Sequence, residues 1–146
     1  MKIIATTAII ALTLSSLGGS PLASAKTSDP CSNENSNMEM RECYAREQAR
    51  VTAEADSLAD KIAAEFRKEA QDPAADGVVA DTLGKAASAV TNSQTTWKAY
   101  RDQHCSAVEY SWTTGSGAGT AYEACMFELG QARLRELRSA FGSSLH

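Results

Sequence analysis

The sequence predicts an all-α protein, an antiparallel bundle of about three long helices stapled by two disulfides. Three observations lead there. Apolar residues recur at helical spacing through most of the chain, two stretches rich in turn-forming residues divide that pattern into three, and two of the four cysteines lie where an antiparallel hairpin would bring them together.

The first 25 residues stand apart. Met1 and Lys2 lead into the apolar run IIATTAIIALTLSSL and then into Ala23, Ser24 and Ala25. A basic start, an apolar stretch too short to span a bilayer and a small-residue triplet form a secretory signal peptide, with cleavage expected after Ala25. No cysteine follows that point directly, so no lipid anchor is expected. Residues 26–146 then form one exported domain, within the usual size range for a single core.

The full chain carries 14 basic and 18 acidic residues, for a net charge of −4. With Lys2 removed, 13 basic residues face 18 acidic ones, and the charge becomes −5. Such a balance disfavours nucleic acid and anionic lipid and leaves room for a basic partner, although a mildly acidic surface is more often just that of a soluble protein.

The first helix is expected from Ser36, where SNME places a serine N-cap three residues before Glu39, the pattern of a capping box. Met40, Tyr44, Val51, Ala55, Leu58, Ile62 and Phe66 follow as one apolar stripe. Pro73 disfavours helical geometry at Asp72, which ends the helix after about 35 residues, or roughly 50 Å. The turn DPAADG follows. A second helix is predicted from about Asp81 to Tyr110, with Leu83, Ala86, Val90, Trp97, Cys105 and Val108 on or near one stripe. Arg101 lies four residues from both Trp97 and Cys105, so it points to the apolar side. The loop SWTTGSGAG, Ser111 to Gly119, breaks this helix. A third helix is predicted to open at TAYE, with Thr120 as cap and Glu123 as its capping-box partner. Tyr122, Met126, Leu129, Arg133, Leu137 and Phe141 continue its inner face, three arginines approach its carboxyl end, and Gly142 is the expected C-cap.

An even number of cysteines in an exported chain argues for disulfides. Cys105 and Cys125 are symmetric about Gly115, the centre of the glycine-rich loop, so a hairpin places them face to face. Cys31 would then pair with Cys43 and fold the leading segment onto the first helix. Four cysteines allow three connectivities, of which this is the one expected. Their spacing fits no CxxC metal or redox pair and no CxxCH haem site, so neither a metal nor a cofactor is expected.

The block SQTTWKAYRDQHC, followed by the glycine-rich loop and CMFELGQARLREL, resembles the LprI-like lysozyme-inhibitor domain family. The resemblance runs from Cys31 and Cys43 through Gln94, Trp97, Tyr100, Arg101, Asp102 and Cys105 to Cys125, Arg133 and Leu137. Of the family's Asp, Leu, Asn, Tyr pattern in the first helix, ADSLADKIAAEF keeps Asp56 and Leu58. The resemblance implies a small, exported, helical protein with four cysteines that binds lysozyme, a basic protein. It supplies no inhibitory motif.

Read from chemistry alone, Trp97 and Tyr100 are core-packing aromatics, with the Tyr100 hydroxyl reaching solvent. Arg101 is a structural ion-pair partner of a first-helix carboxylate such as Asp56, and Arg133 is a structural residue of the third helix's inner face. Asp102 faces outward. Trp112 and Gly115, in an adaptable loop, are the candidate partner-binding residues, although the plainer reading of Trp112 is that it folds back over the bundle tip and the nearby disulfide. His104 and His146 are the only histidines, and no acid and base pair or triad stands out, so a catalytic role is not expected. The competing function is a cell-envelope structural or binding module with another partner. The oligomeric state is left open.

Overall fold

The computed structural model describes residues 29–142, in which α1 (Asn37–Ala70), α2 (Gly77–Ser111) and α3 (Ala118–Phe141) run antiparallel to their neighbours in sequence. The expected signal peptide, residues 1–25, and His146 lie outside the described residues. There are no strands among the described residues, and no helix there is long and apolar enough to cross a membrane.

α1 begins as its sequence dictates. Ser36 Oγ accepts the Glu39 N–H at 3.2 Å, and the Glu39 carboxylate reaches back to the Asn35 N–H at 3.2 Å and the Ser36 hydroxyl at 3.0 Å. The helix ends at Ala70, just before Pro73, where Asp72 accepts the Ala74 and Ala75 N–H groups in a tight turn. Its buried face alternates small and large. Ala55, Ala59 and Ala63, four residues apart, let the neighbouring helices approach, while Val51 and Ile62 fill the space between. Tyr44, Leu58 and Phe66 close the edges of this core, and Phe127, Leu134 and Leu137 of α3 with Ala87 and Val90 of α2 complete it.

α2 starts one turn earlier than its apolar stripe predicts, at Gly77 rather than near Asp81. Asp76 is the reason: its carboxylate accepts the N–H groups of Val78 and Val79 at 3.0 and 2.8 Å. Val78 is 77% exposed, so this first turn is held by its cap and contributes little to the core.

α3 also departs from expectation. It begins at Ala118 with Gly117 as N-cap and no side-chain cap, so Thr120 and Glu123 do not form a capping box. Thr120 instead donates its hydroxyl to the Asn37 carbonyl at 3.0 Å, tying α3 to the first turn of α1. That tertiary partner removes the hydroxyl from local capping. At the other end Gly142 is the C-cap, its N–H bonded to the Arg138 carbonyl.

Both disulfides have the expected pairing, Cys31 with Cys43 and Cys105 with Cys125, and both sit at one end of the bundle. The opposite end is closed by Phe66 against Phe141, edge to face with ring centroids 6.0 Å apart.

Candidate functional site at the disulfide-stapled end

A polar girdle crosses the bundle next to its stapled half and sets the register of all three helices. Gln94 of α2, 5% exposed, donates its amide to Asp56 Oδ1 of α1 at 3.0 Å and accepts from Arg133 Nε of α3 at 2.9 Å. Arg133, equally buried, spends its remaining donors on Ser93 at 2.8 Å and Glu136 at 3.0 Å. Trp97, half-buried, lies between two guanidinium groups, Arg101 at 5.0 Å and Arg133 at 6.0 Å from its ring centroid. Each buried cation is thus hydrogen-bonded and stacked, the condition for keeping charge in a low-dielectric interior.

Arg101 faces the interior as predicted, but its partners differ from the expected Asp56. Two of its N–H groups donate to Asp102 Oδ1, at 2.9 and 2.7 Å, and a third to Thr52 Oγ1 at 2.7 Å. Thr52 precedes Asp56 by one helical turn, which is where the antiparallel register puts Arg101. Asp56 is served by Gln94 and by Lys98 Nζ at 3.0 Å, one turn further along α2. Burial alone would raise the Asp56 carboxyl; hydrogen bonds from Gln94 and Lys98 outweigh it and hold the group below the ordinary carboxylate range.

Tyr100 is not core packing. It is 55% exposed and its ring stacks on His104, 5.5 Å between centroids, because residue 100 projects to the outer face of α2 while Trp97 and Arg101 face inward. Asp102 faces outward as expected while also accepting Arg101.

At the tip, Trp112 caps α2 and Thr113 turns the chain with φ of 53°, a left-handed conformation unusual for a β-branched residue. The Trp112 ring rests on Gly117, where an added Cβ would lie 2.7 Å from it, and the Trp112 carbonyl accepts the Gly115 N–H at 2.9 Å. The indole therefore covers the loop while remaining 49% exposed. Trp112 and Gly115 form one surface element, joined by exposed Tyr110 beside it.

Beneath the tip, Glu123 is held unusually. Its Oε2 is shut from solvent and has no hydrogen-bond partner among the described residues. Burial raises its carboxyl, Glu109 adds to the rise, and Arg41, whose guanidinium lies over Gly119, offsets part of it. On the leading segment, Asp29 accepts the Tyr44 hydroxyl at 2.9 Å and the Cys31 N–H at 2.9 Å, and burial with this carboxylate contact pushes the Tyr44 phenol up to about 12.

Charge is divided unevenly along the bundle. Asp29 to Glu47 holds five acidic residues and two arginines, and Asp102 to Ala132 holds four acidic residues with no lysine or arginine. The other described residues carry ten basic against nine acidic groups. These two segments at the stapled end thus have a net charge of −7 and the other described residues +1. Among the described residues no cluster of three or more His, Cys, Asp or Glu is arranged to hold a metal ion.

Sequence reasoning missed the bridging role of Gln94 and the clamp of Lys98 on Asp56. The Gln94 signal was its four-residue step to Lys98 and three-residue step to Trp97 on one face, which only the position of α1 makes meaningful. Comparison with curated proteins and with solved structures yields no match. Residues 28–137 match the family model described as Lysozyme inhibitor LprI, so this bundle, with its two disulfides and polar girdle, belongs to the LprI family.

Proposed function

We propose that the protein is exported after removal of residues 1–25, binds a lysozyme, and inhibits it by a non-catalytic protein–protein contact. The observation that carries this reading is the charge distribution: the segments Asp29 to Glu47 and Asp102 to Ala132, with a net charge of −7, also hold both disulfides and the exposed Met38, Tyr110 and Trp112, with exposed Tyr100 just beyond them. An acidic face with aromatic anchors suits a basic partner, because opposite charge speeds encounter and aromatic side chains supply the contact area. Two cross-links hold that face in one shape, which lowers the ordering cost of association. Family membership supports the choice of lysozyme. The loop with Trp112 and Gly115 is the proposed first point of contact.

The test is titration of oxidised protein, residues 26–146, into a c-type lysozyme acting on cell walls at low and moderate salt. Saturating inhibition near one-to-one that survives moderate salt supports the reading, and no inhibition at excess protein rejects it.

A second reading, an envelope binding module, draws support from the opposite end. There Phe66, Ala86, Ala89, Val90, Ser93 and Phe141 line an apolar groove of about 340 Å³. Under that reading Phe141→Asp abolishes capture of the native envelope partner while leaving lysozyme untouched.

A further inference from the structure

We propose that the outer face of α2 between Asp102 and Tyr110 seats a cationic side chain, arginine or lysine, of the basic partner. The inference rests on the lysozyme reading and extends it from the loop to a defined groove. Asp102, Gln103, Ser106, Ala107 and Tyr110 line an open groove of about 400 Å³. At one wall stands a carboxylate whose position is set from below. Buried Arg101, itself anchored on Thr52 and stacked on Trp97, directs two N–H groups to Asp102 Oδ1, while Oδ2 accepts no hydrogen bond from the described residues. At the other wall stands Tyr110, an aromatic side chain that is 75% exposed. The Ser106 hydroxyl is spent on the Asp102 carbonyl at 2.8 Å, and Ala107 leaves the floor low.

A carboxylate and an aromatic face on either side of a shallow groove are the two groups that recognise a guanidinium or ammonium. Arg101 neutralises part of the Asp102 charge, so the attraction comes from the surroundings as well. Glu109 lies two turns along the same side of α2, and no lysine or arginine occurs between Asp102 and Ala132 to oppose it. The like charge nearest to a cation arriving here is that of Arg101, which is buried beneath Asp102. The groove is continuous in sequence with Trp112, which places the cation seat and the loop contact side by side on one acidic end.

The experiment measures affinity of the oxidised protein for a c-type lysozyme at moderate salt with four variants. Ala107→Arg, an exposed helical position, fills the groove with a competing cation and is expected to weaken binding about 10-fold or more; Tyr110→Ala about 5-fold; Asp102→Asn about 3-fold. Asp81→Asn removes the same charge at the far end, where its carboxylate is exposed, and is expected to change affinity less than about 2-fold. Unchanged circular dichroism and melting temperature for Ala107→Arg separate binding from folding. If wild type binds and Ala107→Arg binds equally well, the cation seat is wrong while the inhibitor reading stands. If wild type fails to bind lysozyme, that reading falls, and an arginine-rich peptide titrated by NMR decides the seat. Shifts concentrated on residues 102–110 uphold it, and shifts absent or spread over the acidic residues of α1 overturn it.

Discussion

Arg133 Nε donates to Gln94 Oε1 at 2.9 Å across the interface of α2 and α3, with both side chains about 95% buried. The Gln94 amide then passes to Asp56 on α1, so one glutamine connects a buried cation to a carboxylate on a third helix. Arg133→Met removes the cation but leaves Ser93 and Gln94 oxygens without their donor. A loss of about 3 kcal/mol is expected in denaturant unfolding, as when one partner of a buried charged network is deleted. Arg133→Lys does not restore it, since one ammonium cannot reach Ser93, Gln94 and Glu136 together. Full stability in the lysine variant would show that the guanidinium geometry is unimportant.

Gly130 marks the closest approach of α3 to α1. A Cβ there would come within 2.9 Å of Val51 Cγ1, and Val51 is 1% exposed, a short branched side chain with little room to yield. Overpacking of this kind costs about 2 kcal/mol, and the better helix propensity of alanine returns about 1 kcal/mol, so Gly130→Ala is expected to destabilise by about 1 kcal/mol. Adding Val51→Ala supplies the missing space. A double-mutant cycle is expected to show a favourable coupling of about 1 kcal/mol, and strict additivity would refute the contact.

Two carboxylates pull stability in opposite directions with pH. Asp56 has a lowered value in the folded state, so its contribution is present above the ordinary aspartate pKa and is lost as pH falls through the folded value. Glu123 has a raised value, so the folded protein holds its proton more tightly than the unfolded chain, and ionisation above that value weakens the fold. Glu123→Gln is therefore expected to raise the melting temperature at pH 7, with the gain shrinking toward zero as pH drops below the ordinary glutamate range. Thermal melts from pH 3 to pH 8 decide it. A gain independent of pH would point to packing rather than charge.

Opening the Cys105–Cys125 bridge, by replacing both cysteines with serine, frees a loop with a sequence separation of 20. The chain-entropy account expects a loss of about 3 kcal/mol. Because Trp112 rests on the loop this bridge closes, its fluorescence should shift to the red in the folded variant. An unshifted spectrum would mean that the tip is held by the Trp112 and Gly117 contact alone.

Much of the fold was legible in the residues themselves. Helical periodicity, the Ser36 cap, the stop before Pro73 and the symmetry of two cysteines about Gly115 are local quantities, and all four reappear in the structure. The stripe of α1 was readable for the same reason: a helix presents every third or fourth residue to one side whatever it later packs against. Errors arose where a tertiary partner competed with a local rule. Thr120 and Glu123 have the spacing of a capping box, but the Asn37 carbonyl takes the Thr120 hydroxyl and burial takes Glu123. Arg101 could be placed on the inner side, yet its expected partner Asp56 was one turn away from the actual one, because Thr52 and Asp56 differ by one turn and only the sliding of α1 past α2 chooses between them.

What the sequence determined by itself, then, was the helical bundle, the two cross-links and the overall excess of acidic residues. Only the tertiary structure decided that Gln94 joins three helices, that Tyr100 faces out while Trp97 lies between two arginines, and that the negative charge collects at the stapled end. Periodicity and capping act within a few residues and are written along the chain. Charge segregation and polar bridging depend on which residues distant in sequence share one end of the bundle, and packing alone sets that.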